Sequence, residues 1–437
     1  IGGDAAGLSA VGQIRRMHKE ASIGVLERGD IISYGACGLP YAISGQIDDF
    51  NKLIHFTPDA FAARNHCDVL TGTEAIAVDF EKHSVTARSA QGEAQFQYGK
   101  MIIGTGAEAV RPALIPASDR FLVLKSIPDG RAIAERIKAV GARSVLILGA
   151  GYIGLEMADV LHSMGLQIEI VDMADRPVPR MPAAISKAVA RKLEEKQIPL
   201  YAGEGIQSAR DTGTGIQCAT SNRTLDADLA VVAIGIRPAT GFLDESKIKL
   251  VKGAIDINAF GETSVPDVYA GGDCALAFHR LLRKNVYMPL GSTANKQGRI
   301  AGMNAAGGRI AFPGIIGTQI FKFFELALGA TGLSEAQARE AGYDPVTVKA
   351  LRPSRAGYYP GGSNFEVHLT IDRNSSVILG GFLVGPPEQA AALDTIGVMA
   401  QQAMTAQDAA WFDAAYAPPF APVWNALISA AGKLNGD

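Results

Sequence analysis

The sequence predicts an α/β protein with two parallel-sheet units followed by a terminal α+β unit. Three observations carry this. A glycine-rich turn leads into a helix at residues 2–7, and a second follows an unbroken apolar strand at residues 149–154. Beyond about Gly314 short strands predominate and no such turn recurs. A length of 437 residues accommodates several domains, and 48% hydrophobic with 19% charged residues suits a well-cored α/β protein.

Taken in order, Gly2-Gly3-Asp4-Ala5-Ala6-Gly7 opens a helix expected over residues 8–19, and a strand over 23–26 ends at Glu27. An acidic residue about 20 positions after the last glycine stands where a dinucleotide ribose is held. Asp4 occupies the place of the usual second glycine. Ile1 reads as the end of a strand, so the first strand of this sheet is expected to be largely missing from the chain.

The second turn has full context. Ser144–Leu148 is apolar throughout, as a parallel strand buried on both faces should be. Gly149-Ala150-Gly151-Tyr152-Ile153-Gly154 then enters a helix over 155–164, and the strand over 167–171 ends at Asp172. Glycines here let backbone approach a pyrophosphate at a helix N-terminus. Asp172 argues for NADH, because its carboxylate repels a 2′-phosphate; nearby Arg176 leaves NADPH open.

Apolar strands at 100–103 and 229–234 each run into a small-residue turn, Gly104-Thr105-Gly106 and Gly235. These are the expected crossings between the two units. A short strand then delivers Asp273 behind Gly271-Gly272, where a carboxylate can accept hydrogen bonds from the sugar-alcohol chain of a flavin. In the terminal unit, strands are expected at 321–324, 327–331, 346–348, 365–371 and 377–379, with helices at 335–341 and 388–402.

Cys37 lies between the two turns, in Ser33-Tyr34-Gly35-Ala36-Cys37-Gly38-Leu39-Pro40-Tyr41. Five residues on, Ala42 stands where a dithiol enzyme would carry its second cysteine, so any redox work at Cys37 is done alone, as a mixed disulfide or a sulfenic acid. A helix beginning near Gly38-Leu39-Pro40 is expected to depress the thiol pKa. Cys67, Cys218 and Cys274 form neither a disulfide framework nor a metal-ligand spacing with it, which points to a reducing, cytoplasmic compartment. A net charge of −3 without a basic block argues against nucleic-acid binding. No apolar run reaches membrane-spanning length, and there is no secretory leader with a basic start.

In the order of these motifs the chain resembles the flavoprotein disulfide reductases with two dinucleotide-binding domains. Its lone Cys37 resembles the single-cysteine branch: CoA-disulfide reductases, CoA-persulfide reductases, NADH peroxidases and NADH oxidases. The resemblance implies two Rossmann-like domains and a C-terminal dimerisation domain. FAD would occupy residues 1–110 with 236–312, NAD(P)H residues 111–235, and the subunit contact residues 313–437. It implies FAD contacts at Gly2, Gly3, Ala6, Gly7, Glu27, Arg28, Thr105, Gly106, Asp273 and Thr293. NAD(P)H contacts would be Gly149, Gly151, Tyr152, Ile153, Gly154, Asp172 and Gly235.

Peroxidases and water-forming oxidases of the branch carry a histidine where this chain has Ala5, which turns the resemblance toward the CoA enzymes. That implies CoA contacts at Ser9, Gln13, Arg16, Ser33 and Asn295, with Arg16 facing phosphate. Tyr358 and Tyr416 would approach Cys37 from the partner subunit of a homodimer, with Tyr359 as the alternative to Tyr358. Ala36 departs from the pattern, since an asparagine sometimes stands beside the cysteine. Electrons would pass from NAD(P)H through FAD to Cys37, and on to CoA disulfide, CoA persulfide or polysulfide. Two other outcomes stay open: an acceptor such as oxygen, peroxide or quinone reduced at the flavin, or a protein electron carrier.

Overall fold

The computed structural model describes residues 1–435. The first helix runs Ala5–Met17, starting three residues earlier than the apolar pattern suggests because Asp4 already takes the N-cap position. It stops at Met17, where the Arg15 guanidinium caps the exit, donating to the carbonyls of Asn65 (2.7 Å), Ala21 (2.8 Å) and His66 (2.6 Å). Strand Gly24–Leu26 pairs in parallel with Asp68–Leu70, and Met101–Ile103 with Val268–Ala270. Ile1 lies between these pairs: its amine donates to Ile102 O (2.7 Å), and Gly2 N donates to Leu26 O (2.8 Å).

Helix Gly291–Ala305 packs along Ala5–Met17. Gly298 and Gly302 make that approach close, since a Cβ would fall 2.1 Å from Ala6 O and 2.4 Å from Ala10 O respectively. The two helices therefore share a seam at almost backbone contact.

The middle of the chain forms a five-stranded parallel sheet ordered Leu200–Ala202, Gln167–Asp172, Ser144–Leu148, Leu229–Val232, Phe121–Val123. Val145, Leu146, Ile147 and Leu148 are all buried, which accounts for the unbroken apolar run. Helices Ile127–Ala139, Tyr152–Ser163 and Ala183–Glu195 flank it; the first is opened by a Ser126/Asp129 capping box. The terminal sheet is antiparallel, ordered Gln319–Phe323, Leu326–Gly332, Ile378–Gly385, Asn364–Asp372, Pro345–Pro353. Its strands are longer than expected. The helix anticipated over 388–402 is a 3-10 turn, Pro387–Gln389, followed by Ala392–Gln401.

One apolar cluster ties these parts together. Leu39 and Ala42, just after Cys37, share it with Ile147 of the middle sheet, Leu155 of helix Tyr152–Ser163, and Phe321 and Phe323 of the terminal sheet. A polar lock lies beside it: buried Asp159 accepts from Lys322 Nζ and from Phe324 N, both at 2.9 Å, and Tyr152 OH donates to Gln319 Oε1 at 2.6 Å. The helix that follows Cys37, Leu39–Ile43, packs on helices Ile127–Ala139 and Tyr152–Ser163. Among the described residues no helix is long and apolar enough to cross a membrane.

Candidate active site

A single cleft of about 3130 Å³ joins both glycine turns, Cys37 and Asp273. Pockets for one drug-sized molecule are roughly 300–1,000 Å³, so this cleft has room for more than one large ligand.

At the first turn Glu27 reaches back from its strand. Its carboxylate accepts from Gly3 N at 2.7 Å and Gly29 N at 2.8 Å. Ala6 and Gly7 lie in the first helical turn beneath it, buried. Arg28 pairs with Glu108 at 2.8 Å, and Thr105 donates to Ala239 O at 2.8 Å beside Gly106. Asp273 meets Lys125 Nζ at 3.2 Å, and Thr293 is buried in the first turn of its helix. The second turn repeats the design: Asp172 accepts from Ala150 N at 2.5 Å and Ala174 N at 2.8 Å. Gly151, Tyr152 and Ile153 line the cleft with Gly149 and Gly235, and Gly154 is buried below them. Arg176 donates to Pro179 O (2.9 Å), so its guanidinium is engaged by its own loop.

The residues present fit a flavin. The hydroxyl of Tyr287 is buried without a hydrogen-bond partner among the described residues, although Tyr287 lines the cleft near Asp273. A buried orphan donor is costly unless a ligand completes it. With the glycine turn and Glu27, it outlines a polar site awaiting a partner.

Cys37 sits in a 3-10 turn, Ala36–Gly38, and is exposed to the cleft. The following helix, Leu39–Ile43, has Pro40 near its start as expected. Its effect on the thiol is not the expected one. Burial by the surrounding protein pushes the Cys37 pKa up, the negative charge of Glu156 adds to this, and Lys125 opposes it. A five-residue helix builds little dipole, and desolvation with a nearby carboxylate outweighs it. The other three cysteines are also free; Cys218 and Cys274 are buried, Cys67 partly so.

The helix seam gathers four of the five expected substrate contacts. Ser9 Oγ donates to Asn295 Oδ1 at 2.9 Å. With its amide oxygen turned toward the guanidinium groups, buried Gln13 accepts from Arg16 Nη1 at 2.8 Å and from Arg299 Nε at 3.1 Å. Ser33 stands apart at the first turn, in a left-handed conformation (φ +53°) with its N–H donating to Gly3 O. Arg299 was not anticipated. Its position four residues after Asn295, on the same helical face, is the signal that could have found it. Arg15 and Arg16 separate cleanly: the first caps backbone, the second faces the seam.

Tyr358 and Tyr416 meet through their hydroxyls at 2.8 Å on the exposed surface. Tyr359 lies near Arg355. None of the three lines the Cys37 cleft of its own chain.

Two further acids in the cleft were not among the expected site residues: Asp4, noted only as a replacement for glycine, and Glu156. Burial pushes Asp4 up to about 6, with a bond from Tyr34 N (3.3 Å) opposing. Burial pushes Glu156 up to about 7.

Residues 1–298 match the family described as pyridine nucleotide-disulphide oxidoreductase, and residues 318–427 match the dimerisation domain of that name. The chain is 33% identical to an NAD(P)H sulfur oxidoreductase (CoA-dependent) of Pyrococcus abyssi, over 99% of this chain and 97% of that one. It is 30% identical to an NADH oxidase of Methanocaldococcus jannaschii (99% and 97%) and to a coenzyme A disulfide reductase of Staphylococcus aureus (96% and 95%). The solved NAD-dependent persulfide reductase from A. fulgidus superposes with a TM-score of 0.94 at 33% identity, covering 99% of this chain and 81% of that one.

Proposed function

Because the chain belongs to the pyridine nucleotide-disulphide oxidoreductase family, whose members use FAD and NAD(P)H, we propose that it reduces a coenzyme A disulfide or persulfide at Cys37. The observation that carries this reading is a single exposed thiol opening onto the cleft that joins both glycine turns. We assign FAD to residues 1–110 with 236–312, NAD(P)H to 111–235, and subunit pairing to 313–437. NADH is the favoured donor, since the Asp172 side chain is held at the second turn by the backbone N–H groups of Ala150 and Ala174, and Arg176 is spent on its own loop.

In this reading the Cys37 thiolate attacks one sulfur of the substrate S–S bond. A Cys37–CoA mixed disulfide forms and the other half leaves as a thiolate. Bound FAD supplies the two-electron relay from NADH that restores the thiolate and frees CoA. Arg16 and Arg299 hold substrate phosphate, with Ser9 and Asn295 lining the path and Ser33 nearer the cysteine. The partner subunit's Tyr358 and the partner subunit's Tyr416 complete the site, which explains why this exposed hydroxyl pair has no role on its own chain. A free, open thiol of this kind suits a reducing cytoplasm.

Steady-state turnover of CoA disulfide with NADH tests the proposal. Cys37→Ser should lose disulfide turnover while retaining flavin. Relatedness to an NADH oxidase favours one second reading, oxygen reduced at the flavin. There the Cys37→Ser protein would keep its NADH consumption, and wild-type turnover of CoA disulfide would be negligible.

A further inference from the structure

The exposed hydroxyl pair needs a holder. Tyr358 and Tyr416 are 76% and 46% exposed, and 58 residues separate them along the chain. Side chains so open keep one mutual orientation only if the backbones beneath them are fixed. Tyr358 lies in the loop 354–363, between strands Pro345–Pro353 and Asn364–Asp372. Tyr416 lies in the segment 412–425, between helices Ala406–Trp411 and Ala426–Gly432.

Gln389 reaches both. It ends the 3-10 turn Pro387–Gln389, which follows Ile378–Gly385, an inner strand of the terminal sheet. Its side-chain Nε2 donates to Ser354 O at 3.0 Å and to Phe420 O at 2.9 Å. A glutamine amide has two N–H donors, and here each is spent on a different segment. A backbone link joins the segments beside it, Ala356 N donating to Pro418 O at 3.0 Å. Each segment is also folded on itself: Ser354 N donates to Ser363 O at 2.8 Å, and Phe420 N to Ala417 O at 2.9 Å. Arg355 Nη1 donates to Pro360 O at 3.0 Å, and its Nη2 lies 3.8 Å from Glu388. Apart from the tyrosines themselves, no other side chain among the described residues bonds to both segments.

In a hydroxyl pair one oxygen accepts, so its own hydrogen is left to be donated outward. Donation to a leaving sulfur anion requires that hydrogen to be aimed, and the aim is set by where the two backbones stand. We propose that Gln389 is the positioning residue that sets the Tyr358–Tyr416 pair for Cys37 of the partner subunit. The bracket itself stands on the hydrogen bonds within this chain; its service to turnover rests on the CoA reading above.

The test compares Gln389→Leu, which loses both donors, with Gln389→Lys, which keeps donors on a different frame. The first readout is the titration of ring-labelled tyrosine by nuclear magnetic resonance in the flavin-loaded protein. In wild type the bond with the Tyr358 hydroxyl holds the Tyr416 pKa above its ordinary value. That resonance, assigned by its loss in Tyr416→Phe, should return to the ordinary value in Gln389→Leu and stay raised in Gln389→Lys. The second readout is turnover of CoA disulfide. Gln389→Leu should lower kcat at least about tenfold, with KM for NADH and the rate of flavin reduction by NADH unchanged. Tyr358→Phe should lose as much, the double variant no more than either, and Gln389→Lys should regain most of the rate. Gln389→Glu, similar in shape but without the donors, replaces Gln389→Leu should that variant lose its flavin or its circular dichroism. A Tyr416 titration unmoved in Gln389→Leu overturns the proposal, as do losses that multiply in the double variant, and both leave the CoA reading standing. Wild-type protein inactive on CoA disulfide removes that reading, and the tyrosine titration then decides the bracket alone.

Discussion

The two glycine turns share a backbone design and differ in the side chains between their first and last glycines. Gly2 and Gly149 both adopt left-handed backbone, with φ of +105° and +109°. A Cβ at either would strike the carbonyl of a crossing strand, Gly104 O at 2.2 Å or Ala233 O at 2.5 Å. Each turn is clasped by the acid of the following strand, Glu27 on Gly3 N and Asp172 on Ala150 N. They part at the third position of the motif. Gly151 opens onto empty space, whereas Asp4 brings in a buried carboxyl. One backbone design thus serves two cradles, and only the first carries a buried carboxyl within the turn itself.

The strongest way to break this parallel is at the left-handed glycines. Gly149→Ala forces a Cβ into strained backbone against Ala233 O. It should weaken NADH binding at least about tenfold, or ~1.4 kcal/mol, while flavin content stays full. Gly2→Ala should do the reverse, yielding protein depleted of flavin. Absorbance at purification and an NADH titration of the flavin-loaded protein check the pair. Equal losses of both ligands in both variants would contradict two separate cradles.

A smaller effect should separate the turns by pH. Burial, with Glu27 adding to it and the Tyr34 N–H and Lys125 opposing, pushes Asp4 up to about 6, so it is mostly neutral below that pH and mostly charged above it. A negative charge in this cradle disfavours the diphosphate of FAD. Affinity for FAD, measured by recovery of flavin fluorescence, should therefore fall several-fold as pH rises from about 5 to 8. In Asp4→Asn it should stay level across the same window. A wild-type affinity independent of pH would remove Asp4 from the account.

What was legible in the sequence follows from the same physics. The second turn was plain because its strand is buried on both faces and reads as an unbroken apolar run. The antiparallel pieces at residues 74–97 and 208–227 went unread, because their strands are short and largely exposed, so their alternation carries many polar residues. Cys37 stood out by its isolation, and Arg16 through the resemblance to the CoA enzymes. The direction of the thiol shift did not, since it follows first from burial and then from Glu156, with Lys125 opposing, and these two fold in from elements about 90 to 120 residues away. Arg299 was missed for the same reason: its seam with Gln13 exists only once two distant helices meet. Tyr358 and Tyr416 were legible as a pair, but their separation from the cleft of their own chain was not.

The central claim is that Cys37 carries coenzyme A as a mixed disulfide. Intact mass spectrometry of the purified protein, with and without thiol reduction, tests it most directly. The account predicts the loss of about one CoA per chain on reduction, and no such adduct in Cys37→Ser. A sulfur that stays unmodified after exposure to CoA disulfide, or carries only an added oxygen, would contradict it and leave the acceptor to be sought at the flavin.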